Sequence, residues 1–323
     1  MQEPPEIPEP SPDLAIEIRG LTKRYDKLKA LDDVTFSIPK GVIAGFVGPN
    51  GCGKTTTMRI LATLLRQDTG VARVFGHDTR AQAAQHKVRH AIGFMPDYFG
   101  LYTDMTAGEY LEFFAAAYRI PSGKRGGLVS DILALVNLEE KRNTLIAGLS
   151  RGMQQRLTLG RCLIHSPELL LLDEPASGLD PRARVELMEL LKELKNMGKT
   201  IFISSHILSE LENLCDMVVI MEQGKLIFQG PIEQASSHVL KGRAFMELTV
   251  SSDIEAASAV LNGLTGVMGV RNRGEILYVE HEDSVEGYDI ISACMENKIV
   301  LQSAKRGAAN LEEIFMHLTR QDG

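Results

Sequence analysis

Gly48-Pro49-Asn50-Gly51-Cys52-Gly53-Lys54-Thr55-Thr56 fits G-x-x-x-x-G-K-[ST], the spacing of a loop that cradles phosphates. The apolar run at 42–47 before it reads as a buried parallel strand, and residues 54–65 after it read as a helix. That is the strand, loop and helix order the motif requires. Glycines let backbone N–H groups converge on phosphate oxygens, and a helix N-terminus adds roughly half a positive charge. Lys54 is expected to pair with the β- and γ-phosphates, and Thr55 to place its hydroxyl on magnesium. Cys52 lies beside Lys54 and the helix start, both of which favour a thiolate; an inert, occluded thiol is the alternative.

The 323 residues are 44% hydrophobic and 24% charged, an ordinary composition with room for two domains. A net charge of −7 argues against a general nucleic-acid binder. No apolar run approaches the roughly 18–20 residues of a membrane span, and no basic-then-apolar leader opens the chain, so it reads as cytoplasmic. Cys52, Cys162, Cys215 and Cys294 are scattered without a C-x-x-C pair, which suggests reduced thiols rather than zinc or disulfides.

Residues 1–14 combine proline with Glu and Asp and have almost nothing to bury, as expected of a disordered acidic tail. Alternation at 16–18 and 34–38 predicts an antiparallel β-layer. Tyr25, between those runs, could stack on a base or pack the small sheet. Short strands are predicted at 70–76 and 92–95, the second ending at Pro96-Asp97. Thr106 to Glu109 reads as a capping box, with Tyr110, Leu111, Phe114 and Tyr118 on one face of the helix that follows, expected in the core of a helical subdomain. Tyr98, Phe99 and Tyr102 precede the cap in a loop, where aromatics more often meet a partner. Ser150 is placed to cap a helix running to about residue 165. The run 169–172 reads as a strand that delivers Asp173 and Glu174 at its C-terminal end, the edge where open α/β sheets bind ligands. A further strand at 200–205 leads into His206.

In type and order, the loop at 48–56, the stretch Leu149-Ser150-Arg151-Gly152-Met153-Gln154-Gln155, the pair Asp173-Glu174 and His206 resemble the ATP-binding subunit of an ABC transporter, over about residues 15–235. The resemblance implies an α/β P-loop NTPase: an ABC-type ATPase core with an antiparallel β-layer and a helical subdomain at about 98–166. It implies ATP and Mg2+ as ligands and Tyr25 as the adenine-stacking aromatic. Asp173 would hold magnesium through its shell, and Glu174 would be the general base. Ser177-Gly178-Leu179-Asp180 would be the D-loop and His206 the γ-phosphate switch. Ser150 and Gly152 would meet the γ-phosphate held by an opposite subunit, so that two chains close head to tail on two ATP. Such a subunit, a homodimer or paired with another ATPase subunit, sits on the inner face of the cell membrane and drives an integral permease.

The signature here reads LSRGM, and Arg151 could add charge near the nucleotide or be solvated. Asp97 stands where the family usually has the glutamine that reaches magnesium and the attacking water. Both LSRGM and the chain beyond residue 242 resemble the export branch. After a linker at about 229–242, residues 243–323 read as βαββαβ and a last helix at 310–318, a small ferredoxin-like α+β domain. A regulatory or dimer-bracing role is expected for it, with ligand sensing as the alternative. A soluble ABC-type ATPase on a non-transport partner, or a slow nucleotide switch, are the other functional readings.

Overall fold

The computed structural model describes residues 11–26, 28–98, 100–205, 208–232, 234–235, 243–251 and 253–307. The expected tail up to residue 10, Phe99, His206 and the expected helix at 310–318 lie outside the described residues. Contacts divide the chain between Pro231 and Ile232.

In the first unit, β1 (Leu14–Tyr25) pairs antiparallel with β2 (Leu28–Pro39), setting Ile16 opposite Ile38 and Ile18 opposite Phe36. With β4 (Thr69–Val74) and β5 (His77–Asp78) these strands form a sheet of order β2-β1-β4-β5. The second sheet contains β3 (Ile43–Val47), β6 (Ile92–Met95), β7 (Leu169–Leu172), β8 (Thr200–Ser204), β9 (Met217–Glu222) and β10 (Lys225–Pro231). Its order is β10-β9-β3-β8-β7-β6, parallel except for β10. Strands β3, β7 and β8 are apolar and buried almost throughout, as a sheet covered on both faces demands. Phe36 of the first sheet meets Phe46 and Phe202 of the second, with the latter two stacked at 4.7 Å between ring centroids. Truncating such a buried ring typically costs about 3–5 kcal/mol.

Helices α1 (Lys54–Leu61), α2 (Gln82–Ala91), α6 (Pro181–Asn196) and α7 (Leu208–Leu214) connect the strands. Between β6 and β7 the chain builds α3 (Ala107–Ala117), α4 (Ser122–Leu135) and α5 (Arg151–Leu163). Helix α1 is shorter than its pattern predicts. Thr63 takes φ +60, and the N–H groups of Leu64 and Leu65 both turn back to the Arg59 carbonyl, so the helix closes before residue 65. Tyr118 departs from the expected core face: it caps α3 at the C-terminal end, is 44% exposed, and stacks on His165 at 4.1 Å.

The second unit runs β11 (Arg243–Val250), α8 (Ile254–Asn262), β12 (Val267–Arg273), β13 (Ile276–Glu282), α9 (Gly287–Glu296) and β14 (Leu301–Gly307). The strands form an antiparallel sheet of order β12-β13-β11-β14. Leu248, Leu277, Val279, Leu261, Ile290 and Cys294 fill the core between sheet and helices. No helix among the described residues is long and apolar enough to cross a membrane.

Candidate functional site

The loop after β3 is shaped by what lies behind it. A Cβ on Gly48 (φ +156) would fall 2.2 Å from the Met221 carbonyl oxygen, and one on Gly53 (φ +110) 2.7 Å from that of Ala30. Only glycine fits at either point, so the sequence requirement comes from the neighbouring strands as well as from any ligand. Lys54 is buried, and its Nζ donates to the carbonyls of Gly48 at 2.7 Å and Pro49 at 3.2 Å. Those bonds hold a compact ring of backbone around the ammonium.

The loop, including Asn50, Gly51, Gly53 and Thr56, opens on a cleft of about 540 Å³ that Lys54, Thr55, Asp97, Asp173, Glu174 and Ser177 also line. Strand β7 ends here. Asp173 is 1% exposed, its N–H bonded to the Met95 carbonyl at 2.8 Å. Its Oδ1 accepts from Ser204 Oγ at 2.8 Å, and the same hydroxyl accepts the Glu174 N–H at 2.9 Å. Asp173 Oδ2 is buried and has no hydrogen-bond partner among the described residues. Glu174 takes φ +51, a conformation that non-glycine residues adopt rarely and at a cost of order 1–3 kcal/mol. Ser204 therefore holds the Asp173 carboxylate and the Glu174 backbone at once, and sequence reasoning missed it. The available signal was a serine at the C-terminal end of a buried strand, one residue short of the sheet's ligand edge.

The remaining expected residues are placed elsewhere. Ser150 caps α5, accepting the Met153 N–H at 3.3 Å. Gly152 touches the first turn of α6, where a Cβ would come 2.9 Å from that of Ala183. Asp180 caps α6 by accepting from Ala183 N at 2.9 Å. None of these three lines the cleft. Arg151 lies across Gly178 (φ +70), whose added Cβ would sit 2.5 Å from the guanidinium carbon. Asp97 and Arg151 also share a second hollow with Tyr98 and Gln154. Tyr25 is 43% exposed with Lys23 Nζ at 5.7 Å from its ring centroid, so it does not serve to fill the small sheet. Pro49 lies in the loop between β3 and α1. The thiolate expected at Cys52 is not favoured: the side chain is 3% exposed, and burial pushes the thiol up despite the nearby Lys54 charge.

A divalent cation fits this cleft. An orphaned, buried carboxylate oxygen on Asp173 and the Thr55 hydroxyl lining the same space are hard oxygen donors, and magnesium takes few protein ligands when phosphates supply the rest. Among the described residues no cluster of three or more His, Cys, Asp or Glu could hold a metal alone.

A phosphate loop opening a helix, with two carboxylates at an adjacent parallel strand end, defines a P-loop nucleoside triphosphatase. The family described as "ABC transporter" matches residues 31–177. The chain is 32% identical over 309 residues to the linearmycin resistance ATP-binding protein LnrL of Bacillus subtilis (strain 168), covering 94% of this chain and 98% of that one. It is 32% identical to the Nod factor export ATP-binding protein I of Ralstonia nicotianae, covering 95% and 94%. A solved dimer of an ATP-binding cassette in a post-hydrolysis state, bound to ADP and Pi, matches with TM-score 0.61 and 26% identity over 67% of this chain and 98% of that one. The chain belongs to the ABC transporter family as an ATP-binding subunit. It is the ATP-hydrolysing motor of such a transporter.

Proposed function

We propose that two copies of this chain close head to tail around two ATP and drive a separate integral permease that exports its cargo. The observation that carries this reading is the separation of the α5 start from the cleft. Ser150 caps a helix N-terminus with no acidic residue in its first turn, a ready anion site, yet it does not line the cleft with Lys54 and the carboxylates. A partner's α5 completes the site. Lys54 and the backbone N–H groups of residues 48–56 hold the β- and γ-phosphates, while Tyr25 meets the adenine. Thr55 and Asp173, with Asp97 at the same cleft, would hold Mg2+. When bound, that ion neutralises phosphate charge developing in the reaction. Glu174, pinned through its own N–H to Ser204, takes a proton from the attacking water, a role worth roughly 10²–10⁴ in rate. Asp180 and His206 complete the nucleotide contacts in this reading.

The permease would hold the subunit at the cytoplasmic face of the cell membrane. Export is supported by relatives whose names carry "resistance" and "export". The C-terminal unit, residues 243–323, is assigned to regulation or dimer bracing. Glu174→Gln should leave ATP binding intact and trap a dimer that turns over very slowly. Light scattering with and without ATP checks this, and a monomer with ATP demonstrably bound would count against the sandwich.

A further inference from the structure

The C-terminal unit contains a cavity of about 410 Å³, within the size range of small-molecule sites. Its walls come from the start of β11, from His281 near the end of β13, and from the segment entering α9. Strand alternation puts Leu277, Val279 and His281 on one buried face. The first two join the apolar core; His281, only 5% exposed, ends the row with an imidazole where the pattern asks for an aliphatic group. A buried polar ring in that position costs free energy unless its nitrogens are hydrogen-bonded. Its Nδ1 lies 2.9 Å from the Glu282 carbonyl oxygen, and a carbonyl only accepts, so Nδ1 carries the proton. Nε2 of the neutral ring is then an acceptor, and among the described residues no group donates to it.

Asp283 and Glu286 bring carboxylates to the same cavity, and no Lys or Arg stands among its described lining residues. Apolar surface comes from Phe245, Met246 and Tyr288, the last 74% exposed. Gly287 lets α9 start against Met246, where a Cβ would come 3.3 Å from the thioether methyl. Acceptors and negative charge set beside aromatic and thioether surface select a cation with an apolar body. We propose that this cavity binds a protonated amine on a small aromatic or aliphatic skeleton. The ammonium donates to His281 Nε2 and to the carboxylates, and the skeleton rests on Phe245 and Met246 with the Tyr288 ring beside the charge. An anion meets the Glu286 carboxylate, and a neutral hydrocarbon leaves His281 Nε2 unpaired. A metal ion lacks the necessary donor cluster among the described residues.

Calorimetric titration of the full-length protein with 2-phenylethylamine, 2-phenylethanol and phenylacetate tests the site. The amine should bind about tenfold or more tighter than the alcohol, the factor a charge-assisted hydrogen bond supports, and phenylacetate should not bind. Glu286→Gln, at an exposed position, should erase that margin without changing the melting temperature. His281→Leu should weaken the amine and spare the alcohol, and MgATP at saturation should displace neither. Equal affinity for the three probes, no binding by any, a margin that survives Glu286→Gln, or displacement by MgATP would each overturn the assignment.

Discussion

The Ser204 hydroxyl donates to Asp173 and accepts from the Glu174 backbone, so its loss should free the Asp173 carboxylate and loosen the backbone that carries Glu174, leaving the phosphate loop untouched. Ser204→Ala is expected to lower kcat about 10–100-fold, the usual cost of removing a group that orients metal ligands, with ATP affinity nearly unchanged. Ser204→Thr should restore most of the rate; steady-state kinetics with a separate binding measurement distinguish this from a folding defect. A motif reading finds Asp173 and Glu174 because they are adjacent, but Ser204 lies on another strand and becomes a partner only through the parallel pairing of β7 and β8. Cys52 shows the same limit in reverse. Its chain neighbours favour a thiolate, and the burial that opposes it is invisible locally. His165 carries a pH dependence. Burial lowers its pKa, against the opposing bond to the Ile92 carbonyl, and its Nδ1 is buried without a partner among the described residues. Below an ordinary pKa of about 6.5 the unfolded chain therefore binds a proton that the folded chain refuses, and stability falls as pH drops through that value toward the lower folded one. Urea unfolding at pH 7.5 and pH 5.5 should show the loss, and His165→Gln should flatten it.

At the scale of elements, α3 and α5 both begin at a hydroxyl cap, but only Thr106 is followed three residues on by a glutamate. Thr106 and Glu109 form a reciprocal box, and the Thr106 N–H holds the Glu109 carboxyl below the usual carboxylate range. Ser150 caps α5 alone. Removing either hydroxyl should cost about 1 kcal/mol in stability. Thr106→Ala should do no more than that, whereas Ser150→Ala should also depress ATPase activity well beyond its shift in thermal melting. Parallel drops in melting temperature with equal activities would remove α5 from the proposed nucleotide contacts. These starts were legible because a cap is a local signal. The end of α1 was not, since the left-handed turn at Thr63 falls inside an unbroken apolar pattern. Gly152 was legible as a residue and not as a reason: within the chain it makes room for Ala183 of α6.

For the whole molecule, the phosphate cleft and the loop aromatics Tyr98 and Tyr102 were legible in short-range patterns, while the strand order and the addition of Phe113 to that aromatic surface needed the fold. Tyr98 is 81% exposed, Tyr102 52% and Phe113 48%, and the last two meet edge to face at 5.8 Å. A cluster this open is a candidate seat for the proposed permease. Tyr98→Ala with Tyr102→Ala should abolish recruitment to permease-containing membranes and leave ATP hydrolysis of the isolated subunit within about twofold, because exposed side chains contribute little to stability. Flotation assays beside ATPase rates decide it, and retained recruitment would move the interface elsewhere.

The contact behind Gly48 has a genetic consequence. The nearest atom that excludes a side chain there, ahead of Cys52 Sγ at 2.6 Å, is the main-chain oxygen of Met221 and not part of the methionine side chain. Exchanging Met221 for any other amino acid leaves that oxygen in place, so a Gly48→Ala lesion has no compensating partner at residue 221. A suppressor screen would have to draw its revertants from the glycine codon itself or from changes that displace β9. At this contact the constraint falls on the glycine, and no change of side chain at the buried residue 221 relaxes it.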